Sequence, residues 1–161
     1  AAAQQAAAQQ AAAEAAAQQA AQQAAQQAAA QQQAAAQAPA PAPSGNASLG
    51  QAIVNDALQY VGYPYVYGGN SLTGGIDCSG FTQQIYGHFG IRLPRSSWSQ
   101  HSCGYPVSYA EAQPGDLICY AGHVAIYMGG GAIVHASNEI NGICVFGSAN
   151  YREIVTVRRL V

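Results

Sequence analysis

Across residues 48–161 the apolar positions follow two different periods. Leu49, Ile53, Val54, Ala57, Leu58 and Val61 recur every three to four residues, which is the spacing of one helix face, and Ser48 ahead of them is a good N-cap. Gly62 marks the expected end of this helix. Phe81, Ile85 and Phe89 repeat every fourth residue and predict a second helix, opening at Asp77 or Cys78 and stopping before Gly90. The intervening residues 63–75 are rich in Tyr, Gly, Pro and Asn, as in a shaped loop. After a loop containing Leu93, Pro94, Arg95, Ser96 and Ser97, the pattern changes to short apolar runs that predict strands over 116–120, 123–128, 132–136, 143–146 and 154–160. Helices first and a strand meander afterwards define an α+β fold, with helices packed on an antiparallel β-sheet.

Residues 1–37 have neither pattern. They repeat units such as AAAQQ with Glu14 as the sole charge, and alanine and glutamine favour helix. No Leu, Ile or Val occupies heptad positions there, so a strong coiled coil is not expected. The segment reads as a low-complexity helical spacer or stalk. Pro39, Pro41 and Pro43 make residues 38–47 a semi-rigid linker, and residues 48–161 form the folded domain. A long helix tethered through so short a linker also suggests an intramolecular contact that restrains the domain. The chain opens at Ala1 with no basic segment and apolar core ahead of it, which reads as a fragment of something longer.

Charge narrows the partners. Charged residues are 7% of the chain, the formal net charge is -2, and there is no lysine. Such a chain offers no basic patch for nucleic acid or anionic membrane. Its alanine runs, broken by glutamine pairs, fall short of the ~20 apolar residues of a membrane span.

The chemistry centres on Cys78, one of four cysteines with Cys103, Cys119 and Cys144. At a helix N-terminus, unpaired N–H groups and the helix dipole favour the thiolate. His123 and His135 lie on consecutive strands separated by glycines 129–131. If Met128 pairs with Ala132, Ala125 faces His135 and the two imidazoles are diagonal neighbours on one sheet face. A two-residue turn would shift the register by one and separate them. Val124, Ile126, Met128 and Val134 form the opposite, apolar face and should pack on the helices, leaving the histidine face to meet Cys78. A thiol, a base and a group that orients the base are what acyl transfer requires. A zinc reading of the same three residues lacks a short-spaced ligand pair. His88 and His101 read as surface residues.

These residues resemble the NlpC family of bacterial cell-wall cysteine peptidases, a compact papain-like group. The resemblance runs through Tyr63-Pro-Tyr65-Val-Tyr67-Gly-Gly69, Gly75-Ile-Asp-Cys78-Ser-Gly-Phe81, Leu93-Pro-Arg-Ser-Ser97, Gln113-Pro-Gly-Asp-Leu117, His123-Val-Ala-Ile-Tyr127 and Val134-His135-Ala136. It implies a Cys78-His123-His135 triad whose third position varies in the family, no cofactor, and cleavage of peptidoglycan stem peptides between γ-D-glutamate and a diamino acid. It further implies an exported or wall-associated bacterial enzyme, Tyr65 as an oxyanion donor beside the Cys78 N–H, and Asp77 and Ser79 as substrate-binding residues. Asp77 reads equally well as the helix N-cap. The rival activities are a muramoyl-L-alanine amidase with the same triad and a catalytically silent wall-binding module. At most one disulfide is expected among Cys103, Cys119 and Cys144.

Overall fold

A computed structural model describes residues 45–161. The expected spacer and most of the linker lie outside the described residues, as does any contact they make. The first helix, α1, spans Gly45–Leu58, so Ser48 lies inside it and is not its cap. Ile53, Val54 and Ala57 of the expected stripe are buried, whereas Leu49 and Val61 at its ends are exposed. Two short strands follow, β1 (Asn70–Ser71) and β2 (Gly75–Ile76), then α2 (Cys78–His88) and the single turn α3 (Ser97–Gln100). The remaining strands are β3 (Tyr105–Val107), β4 (Leu117–Tyr120), β5 (His123–Gly129), β6 (Ala132–Asn138), β7 (Gly142–Phe146) and β8 (Ile154–Arg159).

The last six strands form one antiparallel sheet in the order β3-β8-β4-β5-β6-β7. Its helix side buries Ile53, Phe81, Ile85, Leu117, Val124, Ile126 and Val134 in one core. Val124, Ile126 and Val134 therefore do pack towards the helices. The opposite face is not the open side of a half-buried sheet: Ile118, Tyr120, Ala125, Tyr127, Ile133 and Val157 build a second core there. The 3-10 turns Tyr109–Glu111 and Ala149–Tyr151 bring Tyr109 and Ala149 onto that face. This is why every residue of β4 is buried and the start of β5 is buried at consecutive positions.

The helices are docked by close backbone approach as well as by side chains. Gly50 of α1 lies so near the Pro114–Gly115 turn that a Cβ there would collide with the Pro114 carbonyl oxygen. Tyr86 of α2, fully buried, donates its hydroxyl to the Gly115 carbonyl at 2.6 Å. Among the described residues no helix is long and apolar enough to cross a membrane.

The β5–β6 hairpin combines both anticipated alternatives. Gly129 pairs with Ala132 across a two-residue turn, but the ladder then shifts, and Tyr127 pairs with Ile133 and Ile126 with Val134. The irregularity absorbs Met128, and one extra residue on one strand restores the register that the short turn would have lost. Gly129, Gly130 and Gly131 all have positive φ, which side chains rarely tolerate.

Candidate active site

Cys78 opens α2, and Asp77 immediately before it is the N-cap, its Oδ1 accepting from the Gly80 N–H at 2.8 Å. The thiol is 7% exposed and belongs to the helix-side core. It approaches the sheet beside Val124, whose N–H points at the sulfur. The thiol therefore lies at the start of β5, packed with the helix-side core. His123, the residue before Val124, is 7% exposed, and His135 is 2% exposed. The two imidazoles are hydrogen-bonded, His123 Nε2 to His135 Nδ1 at 2.7 Å, with their rings edge to face. The regained register puts these rings together.

Electrostatics set the resting protonation. Burial pushes the Cys78 thiol above its ordinary range and Asp77 adds to this, while the N–H groups of Val124, Ser79 and Cys78 itself pull the other way. The helix N-terminus thus acts as anticipated but is outweighed by desolvation, so the resting sulfur is a thiol. Burial drives His123 down to about 3, helped by His135 and Arg152, and His135 down to about 4, helped by Arg152. Both imidazoles are neutral at neutral pH. A neutral pair sharing one hydrogen bond through His123 Nε2 leaves His123 Nδ1 as its remaining nitrogen.

Cys78 also lines a cavity of about 620 Å3 together with Tyr65, Tyr67, Asp77, Ser79, Arg95 and Gly122, among others. Tyr65 is half-buried and bridges to Ile76. Burial, and then the nearby Cys78 and Asp77, raise its hydroxyl pKa, so it remains an O–H donor. The loop carrying it is pinned at both ends, by Gly62 N–H to Ile143 O at 2.8 Å and Gly68 N–H to Asp77 Oδ2 at 2.9 Å.

Asp77 and Ser79 face the cavity but are already engaged. Arg95 grips the Asp77 carboxylate with two bonds of 2.8 and 2.9 Å and also donates to Ser79 Oγ, the Gly69 carbonyl and Asn70 Oδ1. All five guanidinium N–H groups are used. Burial opposes ionisation of Asp77, but Arg95 and the Gly80 and Gly68 N–H groups outweigh it and hold the carboxyl below its usual value. The cap reading of Asp77 is the one its geometry satisfies.

Sequence reasoning passed over three contributors. Arg95 appeared only within a loop motif, yet in a chain with five basic residues and no lysine each arginine is a candidate for a specific task. Gln100, fully buried, ties α3 to the start of α2 by accepting from Thr82 Oγ1 at 2.7 Å and donating to the Ser79 carbonyl at 3.0 Å. Tyr151 sets its ring edge-on to His135 with centroids 6.0 Å apart, and no local signal marks it. Of the two histidines read as surface residues, His88 is exposed and bonded to Asp56 at 2.7 Å. His101 departs from that reading: its ring lies tilted against that of Trp98 with centroids 5.1 Å apart, and its Nε2 is buried without a hydrogen-bond partner among the described residues. All four cysteines are unpaired thiols in this structure, and among the described residues no cluster of His, Cys, Asp and Glu fits a metal ion.

Residues 62–159 match the model of the NlpC/P60 family. Over 96 residues the chain is 42% identical to a probable endopeptidase of Corynebacterium glutamicum, covering 58% of this chain and 46% of that protein. Over 103 residues it is 34% identical to the bifunctional muramidase/DL-endopeptidase CwlT of Bacillus subtilis, covering 59% of this chain and 31% of that one. The chain spans less than half the length of each of these relatives. Among solved structures, the NlpC/p60 domain of the peptidoglycan hydrolase SagA superposes with a TM-score of 0.64 at 35% identity, covering 69% of this chain and 98% of that one. The peptidoglycan hydrolase RipB of Mycobacterium tuberculosis gives 0.65 at 32% identity, covering 74% and 68%.

Proposed function

Because the chain belongs to the NlpC/P60 family, with its α+β papain-like fold, we propose that it is a peptidoglycan hydrolase, a cysteine endopeptidase that cleaves stem peptides between γ-D-glutamate and a diamino acid. The observation that carries this reading is the bonded His123–His135 pair at the start of the strand against which the Cys78 thiol is held.

In the proposed reaction His123 carries its proton on Nε2 and donates it to His135 Nδ1, so that His123 Nδ1 is free to act as base. As the sulfur attacks the γ-carbonyl carbon of D-glutamate, the thiol proton passes to His123 Nδ1. The resulting oxyanion is met by the Cys78 N–H and the Tyr65 hydroxyl. Collapse expels the amine of the diamino acid, which takes the proton from His123 and leaves a thioester on Cys78. Water, deprotonated by His123, then attacks the thioester and releases the carboxylic acid and the thiol.

A neutral thiol and a neutral imidazole suit this sequence. The proton moves only as the new bond forms, and no buried ion pair has to be maintained at rest. Asp77 and Ser79 act chiefly by fixing the helix start and the cavity wall through Arg95, and the substrate backbone meets that wall. The enzyme works outside the cytoplasm, on or near the wall.

Product masses test the reading. A defined muropeptide bearing L-Ala-γ-D-Glu-diaminopimelate is expected to yield a fragment ending in D-glutamate and a free diamino acid. Release of the whole stem peptide from muramic acid would replace the endopeptidase reading by an amidase, and an unchanged substrate, with reductant present, would favour a silent binding module.

A further inference from the structure

Arg152 is a cation without a hydrogen-bonded anion. Asp77 holds Arg95, Asp116 holds Arg159 at 2.7 Å, and Arg158 donates to the carbonyls of Cys103 and Gly104. Among the described residues Arg152 has neither a carboxylate nor a carbonyl partner and is exposed. Two aromatic rings hold it instead: its Cζ lies 5.9 Å from the Tyr120 centroid and 5.5 Å from that of Tyr151. Those rings are in turn neighbours of the imidazoles, Tyr120 at 5.9 Å from His123 and Tyr151 at 6.0 Å from His135. The guanidinium is thus one ring away from each histidine.

The support beneath it is fixed. The Ala149–Tyr151 turn is tied down by Ala149 N–H to Gly131 O at 2.7 Å and by the Tyr120 hydroxyl to Ala149 O at 2.8 Å. Ring contact takes up the face of a guanidinium and leaves its N–H edges to the solvent, where they suit a planar carboxylate.

Direction follows from the chemistry proposed above, on which this inference rests. His123 gives its proton to the departing amine, so the imidazole side of the thiol is the leaving-group side. The cavity lined by Tyr65, Asp77 and Arg95 is left for the acyl half. We infer that Arg152 is a specificity residue that binds a carboxylate of the leaving fragment. A free Arg152 lowers the basicity of both imidazoles. A bound carboxylate offsets that charge when His123 must accept a proton, so the effect extends to kcat.

The test compares two tripeptides, L-Ala-γ-D-Glu-meso-diaminopimelate and its counterpart with both diaminopimelate carboxylates converted to carboxamides. The full chain is expected to favour the carboxylate substrate in kcat/KM by about tenfold, the scale of one charge-assisted contact at an exposed site. Arg152→Gln, checked for an unchanged melting temperature, is expected to bring the ratio to within about twofold of unity, and Arg152→Lys to keep an intermediate ratio. A ratio unmoved by Arg152→Gln overturns the inference, as does an equal loss on both substrates, which would mean that Arg152 only tunes the imidazoles. Cleavage of neither substrate by the wild type overturns the functional reading itself, and the inference with it.

Discussion

At the residue scale, the three side chains proposed to carry the chemistry, Cys78, His123 and His135, rest uncharged in the folded domain. Cys78, His123 and His135 were legible in the sequence because each stands in a recognisable local setting, a helix start or a strand of alternating character. The resting state of the thiol was not legible, since dipole and N–H groups favour the thiolate and only the packed core reveals the larger desolvation cost. Arg95 and Arg152 escaped for a related reason: Arg95 is bonded to Gly69, Asn70, Asp77 and Ser79, and one of the two rings under Arg152, that of Tyr120, comes from a strand distant in sequence.

The buried histidines make acid sensitivity a residue-scale property. Their folded-state pKa values, about 3 and about 4, lie below the ordinary 6.5, so between these limits the unfolded chain binds more protons. Their contribution is complete above pH 6.5 and is lost as the pH falls towards 4 and then 3. The Asp77 carboxyl, held below its usual value, titrates beneath most of this window. Melting temperature is expected to fall from pH 7 to pH 4.5, with a loss on the order of 5 kcal/mol for the two histidines together. His135→Asn, with one titrating group fewer, should give a flatter profile. Superimposable slopes for the two proteins would show that His135 does not set the acid limit.

At the element scale, both helices and the five longest strands were readable from periodicity, whereas β1, β2, β3 and α3, of two to four residues each, carry too few positions for a period to register. The β5–β6 register depended on a turn that composition could not specify, because three successive glycines permit several turns, and a bulge at Met128 then decides the outcome. The second core was hidden for a different reason. Tyr120, Ala125 and Tyr127 look like the mixed face of a half-exposed strand until the 3-10 turns cover them.

Helix docking gives an element-scale prediction in which two effects oppose each other. Gly50→Ala improves helix propensity by about 1 kcal/mol, but the new methyl would collide with the Pro114 carbonyl oxygen, and backbone cannot yield as a side chain can. Overpacking of this kind costs about 1–3 kcal/mol. We therefore expect a net fall in denaturation midpoint, measured by urea titration. A stabilised variant would mean that α1 shifts freely over the Pro114–Gly115 turn.

At the scale of the whole molecule, the organisation proposed is a helical spacer over residues 1–37, a Pro-rich linker over 38–47 and the peptidase domain from 48 onwards. The helix α1 already begins at Gly45, so the folded unit reaches into the segment assigned to the linker by its prolines. Composition supports the proposed division, because an Ala/Gln repeat cannot build a core such as the one within residues 53–157. If the spacer restrains the site, removal of residues 1–43 raises kcat/KM on the muropeptide. Equal activity of the two forms would remove the restraint from the account.

The central claim is that Cys78, His123 and His135 act as one acyl-transfer unit. Its most direct test is the rate of release of the diamino acid from one muropeptide by the wild type, Cys78→Ala, His123→Ala and His135→Asn, each confirmed to be folded. The account predicts no detectable turnover for Cys78→Ala and His123→Ala, and a partial rate for His135→Asn, whose amide oxygen can still accept from His123 Nε2. Turnover by His123→Ala at the wild-type rate, or by Cys78→Ala at any appreciable rate, would contradict it.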